Sequence, residues 1–264
     1  MQMKVAGIGR AIFWEGGSLW LALITGGNDV HCHHAIQICL PFSGEALFRG
    51  SDAEPWTSYA GALITPDVPH GFGAPGKIVA NLLFEPESRA GRALLKRYSS
   101  PGVHRLPQDR VAELVAPLRD AYFAQTDDAE LITLAKQTIS AFAGIAEVSN
   151  PADPRVLRVI DYIRRHLDAP IRLADLASAA ALSPSRLRHL FVEQTGVSIK
   201  AFVLWERLNI ALAMGFSGES WTRAAHAANF ADSAHLTRTC RKMFGLAPSG
   251  AVVEGSSGAR RLIA

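Results

Sequence analysis

The 264-residue chain has little cysteine, no long apolar run and almost no excess of charge. Each shortage excludes something. The three cysteines, Cys32, Cys39 and Cys240, are an odd number, and Cys32 and Cys39 stand seven apart, which is neither a zinc-finger nor a redox-pair spacing. That pattern fits a reducing cytoplasm better than a disulfide scaffold. Apolar stretches such as Leu19 to Ile24 fall far short of the roughly 18 residues a bilayer crossing needs, so no membrane partner is expected. Met1 to Arg10 lacks the charged and apolar regions of a secretory leader, which again points to the cytoplasm. No Gly-rich phosphate loop, GxSxG elbow or paired carboxylate stands out, so the chain offers no ready-made catalytic site. What remains, 48% apolar and 19% charged residues, is the composition of a folded globular protein of one large domain or two ordinary ones.

The net charge of +3, from 27 Lys+Arg and 24 Asp+Glu, conceals an asymmetry. Residues 1 to 154 hold 12 basic and 16 acidic side chains, a net of −4, whereas residues 155 to 250 hold 13 and 7, a net of +6. A mildly acidic front half joined to a basic back half is the layout expected if only the back half meets phosphates.

The same division shows in texture. In residues 1 to 100, turn signals such as Gly26-Gly27-Asn28-Asp29 and Pro66-Asp67 separate short apolar runs at Leu19 to Ile24, Ala35 to Leu40, Ala46 to Phe48, Ala62 to Ile64 and Ile78 to Phe84. Such spacing predicts a β-sandwich or barrel. From Arg89 the texture turns helical, and over residues 101 to 150 the apolar positions of Gln108 to Ala124 and Leu131 to Glu147 recur at three- and four-residue steps, predicting two amphipathic helices. Two such stripes need a further apolar surface, which favours a homodimer, with packing inside the chain as the alternative. A loop-like stretch, Ser149 to Pro154, then leads into an all-helical region over residues 155 to 250. The fold expected is therefore α+β: an N-terminal barrel with appended helices, then an all-α domain.

Within that region Leu173 to Ala180 reads as a short helix, and Ser183-Pro184 starts a second one that runs to Gly196. Serine is a good N-cap, and proline fits the first helical position because its missing N–H costs nothing there. Small residues at Ala177 and Ala180 allow close approach, while Leu176, Leu187, Leu190 and Phe191 supply apolar contact. This is a helix-turn-helix, whose second helix can enter the major groove. Ser185, Arg186, Arg188 and His189 are its exposed, hydrogen-bonding positions. About fifty residues on, Thr222 to Ala228, the turn at Asn229 and the helix from Asp232 to Phe244 repeat the scheme. The second exposed face offers Ser233, His235, Thr237, Arg238, Arg241 and Lys242, and Gly245 closes the helix. The helix Ile199 to Met214 would space the two units.

Taken together, LADLASAAALSPSRLRHLF, TGVSIKAFVLWERLNIAL and AAHAANFADSAHLTRTCRKMFGLAP resemble, in order and spacing, the DNA-binding domain of the AraC/XylS family of bacterial transcription regulators. The resemblance implies base-reading positions at Ser185, Arg186, Arg188 and His189 in the first unit, and at Ser233, Ala234, His235, Thr237 and Arg238 in the second. It implies double-stranded DNA, a small-molecule effector and RNA polymerase as partners. Arg207 stands where the family carries a linker-helix arginine and is read as structural. The second unit departs from the pattern at Asn229, Leu236, Cys240 and the residues after Pro248, leaving open whether it reads bases or only holds phosphate.

The front half resembles a cupin barrel through His31-Cys32-His33-His34 and through Pro66 to His70. His31, His33 and His70 fit three of the four metal-ligand places of a cupin, but Gln37 stands where a carboxylate is expected, and a neutral amide is a poor ligand. The favoured expectation is an effector pocket or structural cluster of His31, His33, Gln37 and His70 with no cofactor. A divalent transition metal on His31, His33 and His70 is the alternative. The whole reads as a sequence-specific DNA-binding regulator and not an enzyme. The rivals are a metal-dependent cupin enzyme with a helical appendage and a regulator whose barrel only dimerises.

Overall fold

A computed structural model describes residues 7–144 and 152–253, with only the backbone of 252 and 253. The predicted helix residues 145–147 and linker residues 149–151 lie outside the described residues. Contacts divide the chain into two compact units: Met1–Glu147 with Cys240–Ala264, and Val148–Thr239.

The first unit is built on two sheets rather than one closed ring. The larger runs in the order β10 (Val103–Arg105), β7 (Ala62–Ile64), β4 (Ile36–Pro41), β9 (Lys77–Phe84), β2 (Gly17–Ile24), β1 (Gly7–Trp14) and β11 (Ala251–Val253). The smaller runs β3 (Gly27–His31), β8 (His70–Gly73), β5 (Ala46–Arg49) and β6 (Thr57–Tyr59). Pairing is antiparallel, except that β11 lies parallel to β1, with Gly7 opposite Ala251. Alternation along β4 sorts the side chains: Ile36, Ile38 and Leu40 join the core under the helices, while Cys39 joins Phe48, Phe72 and Val79 in a second apolar cluster. Each fully buried Leu or Ile of these strands contributes roughly 1.5–3 kcal/mol.

Three helices cover the larger sheet: α1 (Arg89–Arg97), α2 (Gln108–Phe123) and α3 (Asp128–Ala143). Ser88 and Asp127 cap the first and third, accepting from Gly91 N and Glu130 N at 2.9 Å each. Val111, Val115 and Leu118 of α2, with Leu131, Ala135 and Ile139 of α3, are buried with Ile36, Ile38 and Leu82. The apolar stripes are therefore covered inside the chain, which removes the ground on which the sequence favoured a dimer.

The chain from Cys240 onward belongs to this first unit. Asp29 N donates to Gly245 O at 3.0 Å, Asn28 Nδ2 donates to Phe244 O at 3.0 Å, and the Trp20 and Phe244 rings lie 5.5 Å apart. Gly245 has φ +69°, and an added Cβ would stand 2.2 Å from Asp29 O and 2.7 Å from His31 Nδ1. Only glycine meets both constraints. The sequence domain of residues 155 to 250 thus runs past the contact boundary at Thr239.

In the second unit α4 (Pro154–Arg165), α5 (Leu173–Ala179), α6 (Pro184–Thr195) and α7 (Ile199–Phe216) are followed by α8 (Trp221–Ala227) and the start of α9 (Ser233–Phe244). Val159, Ile163, Leu176, Ala177, Leu187, Phe191 and Phe202 form its main core. None of the described helices is long and apolar enough to cross a membrane.

Candidate nucleic-acid interface and histidine cluster

The first helix-turn-helix is assembled from local signals. Ala181 occupies the turn with φ +52°, a left-handed conformation that alanine adopts at a cost. Ser183 then caps α6, its Oγ accepting from Arg186 N at 3.3 Å, with Pro184 in the first turn. Gly196, at φ +80°, closes the helix by donating to Val192 O at 2.8 Å. Ala177 and Ala180 are buried at the crossing, and Leu187, Leu190 and Phe191 turn inward. The opposite face leaves Ser185, Arg186, Arg188 and His189 exposed.

The second unit follows the same plan with other residues. Ser220 caps α8 by accepting from Arg223 N at 3.2 Å, and Asn229 takes the turn at φ +56°. Asp232 accepts from His235 N at 2.6 Å, the N-cap role expected of it. Leu236 and Cys240 are buried, and burial pushes the Cys240 thiol up to about 12, so it is packing rather than reactive. Ala234, Arg238, Arg241 and Lys242 are exposed, whereas Ser233, His235 and Thr237 are half-buried. Thr237 spends its hydroxyl on Ser233 O at 2.8 Å, and His235 lies edge-on to Phe230 at 5.1 Å.

Helix α7 adds two features. Arg207 donates to Leu167 O at 3.2 Å and Ala169 O at 2.8 Å, fixing the segment between α4 and α5, which is the structural role expected of it. A groove of about 590 Å³ brings Arg188 of α6 and His235 of α9 together with Lys200 and Arg207, over a floor that includes Leu173 and Val203. The sequence reading missed Lys200. It lies outside both repeats, and its one signal was being a cation at the exposed start of a helix.

In the sheet unit His31 and His70 are cross-strand partners, their rings 4.3 Å apart, and the His33 ring stands 5.8 Å and 5.2 Å from them. A register shift between Asn28 and His31 ends β3 there, so His33 lies beyond the strand rather than two places along it. The three rings still meet. His33 Nε2 contacts Gln37 Oε1 at 3.0 Å, and Gln37 Nε2 donates to Asn81 Oδ1 at 2.9 Å. Burial lowers all three histidine pKa values, that of His31 to about 3, so the rings are neutral near pH 7. His34 turns away from the cluster and pairs with buried Glu87 at 2.5 Å. The three cysteines are free.

Two N-capped helix-turn-helix units on one chain, with a long helix between them, define a helix-turn-helix protein. Known proteins agree: the helix-turn-helix domain family matches residues 176–251. The arabinose operon regulatory protein of Escherichia coli is 33% identical over 101 residues, 38% of this chain and 35% of that protein. LumQ, a probable transcriptional regulator of Photobacterium leiognathi, is 24% identical over 147 residues, 55% of this chain and 58% of that one. The match covers about a third of the length of the first of these relatives. Apo ToxT from Vibrio cholerae superposes on 91% of this chain and 97% of its own with a TM-score of 0.60 at 11% identity, a likeness of fold. ToxT bound to an unsaturated fatty acid does so over 89% and 92%, with a TM-score of 0.53 at 12% identity. Residues 176–251 thus carry a helix-turn-helix domain, and the C-terminal part of the chain is similar to that of the arabinose operon regulatory protein.

Proposed function

We propose that the protein is a sequence-specific DNA-binding transcription regulator whose sheet unit takes a small-molecule effector. The observation that carries this is the pair of N-capped units, each with a buried apolar face and a polar, basic outer face. Ser185, Arg186, Arg188 and His189 are the principal base readers, since arginine pairs bidentately with guanine and the others offer single hydrogen bonds. Ser233, Ala234, His235, Thr237 and Arg238 meet the second groove segment, and Arg241 and Lys242 hold phosphate. His31, His33, Gln37 and His70 belong to the effector-responsive interior.

On this reading the protein is not an enzyme and works in the cytoplasm on double-stranded DNA, with a second copy of the chain and RNA polymerase as further partners. The fatty acid bound by ToxT supports a small-molecule effector here by likeness of fold. A gel-shift or anisotropy titration on the protein's own upstream DNA tests the reading: binding should be sequence-dependent and weaken with salt. Equal affinity for a scrambled duplex would refute it. Thermal shifts across a metabolite library test the effector, because a ligand that binds only the native state raises apparent stability.

A further inference from the structure

We propose that the groove beside α7 in the helical unit binds a small organic monoanion with an apolar body, of the aryl carboxylate class, and that this ligand competes with DNA. The lining comes entirely from the second unit, so the site is separate from the histidine cluster of the sheet unit. Only the competition rests on the proposed function; ligand binding does not.

The floor of the groove asks for an apolar occupant. Ile171, Leu173, Ile199, Val203 and Leu204 all line it, and all remain half-buried rather than closing on one another. DNA offers phosphates, sugars and polar base edges, which five apolar side chains do little to read. An apolar body laid over them removes that surface from water, which is favourable in proportion to its area. The volume of about 590 Å³ lies within the range of roughly 300–1,000 Å³ over which pockets take small molecules.

The rim fixes the sign of the ligand's charge. Arg188, Lys200, Arg207 and His235 stand on the same groove, and no acidic residue lines it. Arg207 has donors committed to Leu167 O and Ala169 O, whereas Arg188 and Lys200 are exposed and turn onto an anion at little cost. A carboxylate suits them, since a guanidinium grips it bidentately and an ammonium adds a point charge. A wholly polar anion would leave the floor uncovered, and a neutral apolar body would leave the cations unanswered. On the proposed function Arg188 and His235 are base-contacting residues, one from each helix-turn-helix unit. A ligand that occupies both therefore excludes DNA from both.

The test uses full-length protein and biphenyl-4-carboxylate, with biphenyl-4-carboxamide as the neutral isostere, each titrated calorimetrically in the absence of DNA. The carboxylate should bind once per chain and about tenfold or more tighter than the amide, with an affinity that falls as salt rises. Lys200→Glu reverses an exposed charge and should weaken the carboxylate about tenfold, whereas Lys96→Glu, the same charge change on α1, should leave it unaltered. Val203→Trp fills the groove and should abolish binding of both compounds. Saturating carboxylate, but not the amide, should raise the protein concentration needed to half-saturate the upstream duplex. Because ligand binding is read without DNA, a chain that recognised no duplex would refute the proposed function and not the site. Equal affinity for carboxylate and amide, or carboxylate affinity unmoved by both Lys200→Glu and Val203→Trp, would overturn the site. DNA affinity unmoved by bound carboxylate would overturn the competition.

Discussion

The two helix-turn-helix units share a plan and differ in how they are held. The first closes on its own core: Leu187, Leu190 and Phe191 of α6 are buried with α4, α5 and Phe202 of α7, and its four exposed polar residues are free to turn outward. The second commits more of itself. Thr237 donates to its own helix, His235 rests on Phe230, and the end of α9 is fastened through Phe244 and Gly245 to the β2–β3 region of the sheet unit. Similar sequence patterns therefore leave the polar side chains of the first outer face freer than those of the second, and on the proposed function the first carries most of the base specificity.

The largest effect that would break this contrast is loss of the first core. Phe191→Ala removes a fully buried ring and should cost about 3–5 kcal/mol in urea unfolding followed by circular dichroism. A loss under 1 kcal/mol would mean that the first unit does not depend on its own core. Next comes the anchor. Gly245→Val places a β-branched side chain at positive φ against Asp29 O and should cost about 3 kcal/mol, read as a lowered thermal midpoint of the sheet unit. An unchanged midpoint would show that the α9 terminus does not bear on the sheet.

Arg188→Ala should lose about 1–3 kcal/mol and relax preference at one base position. Arg241→Ala should weaken all sequences alike and lower the salt slope by about 1. Anisotropy on matched and scrambled duplexes separates the two, and identical behaviour would erase the division of labour. The smallest effect lies in the turns. Ala181→Gly should stabilise by about 1 kcal/mol, because glycine accepts φ +52° without strain. Asn229→Gly should gain only a few tenths, since asparagine already tolerates that conformation. Equal gains in thermal melts would show that the two turns are equally strained.

What could be read in the sequence followed from how local its causes are. Helix caps at Ser183 and Asp232, the stop at Gly196 and the left-handed turn at Asn229 depend on a few neighbouring residues, and the helices α4 to α9 fall close to their expected places. Strands β2, β4, β5, β7 and β9 are visible as apolar runs. By contrast, β3, β6, β8 and β10 are only three to five residues long, and their existence depends on distant partners. The parallel pairing of β11 with β1 joins the two ends of the described chain, which no local pattern encodes. Periodicity in α2 and α3 announces a buried face without saying what buries it, and the chain's own sheet supplied the answer. The histidines are legible as a motif, but the three carbonyls that orient their rings, and Lys200 beside Arg188, are products of tertiary structure.

On the proposed function the chain reads DNA through two unequal helix-turn-helix units. Selection of full-length protein on a random duplex library, repeated with Arg188→Ala, tests it most directly. A strong cluster of enriched bases and a weaker one about 10 bp away are expected, with the strong cluster degraded in the variant. Enrichment identical in the two proteins, or none in either, would contradict it.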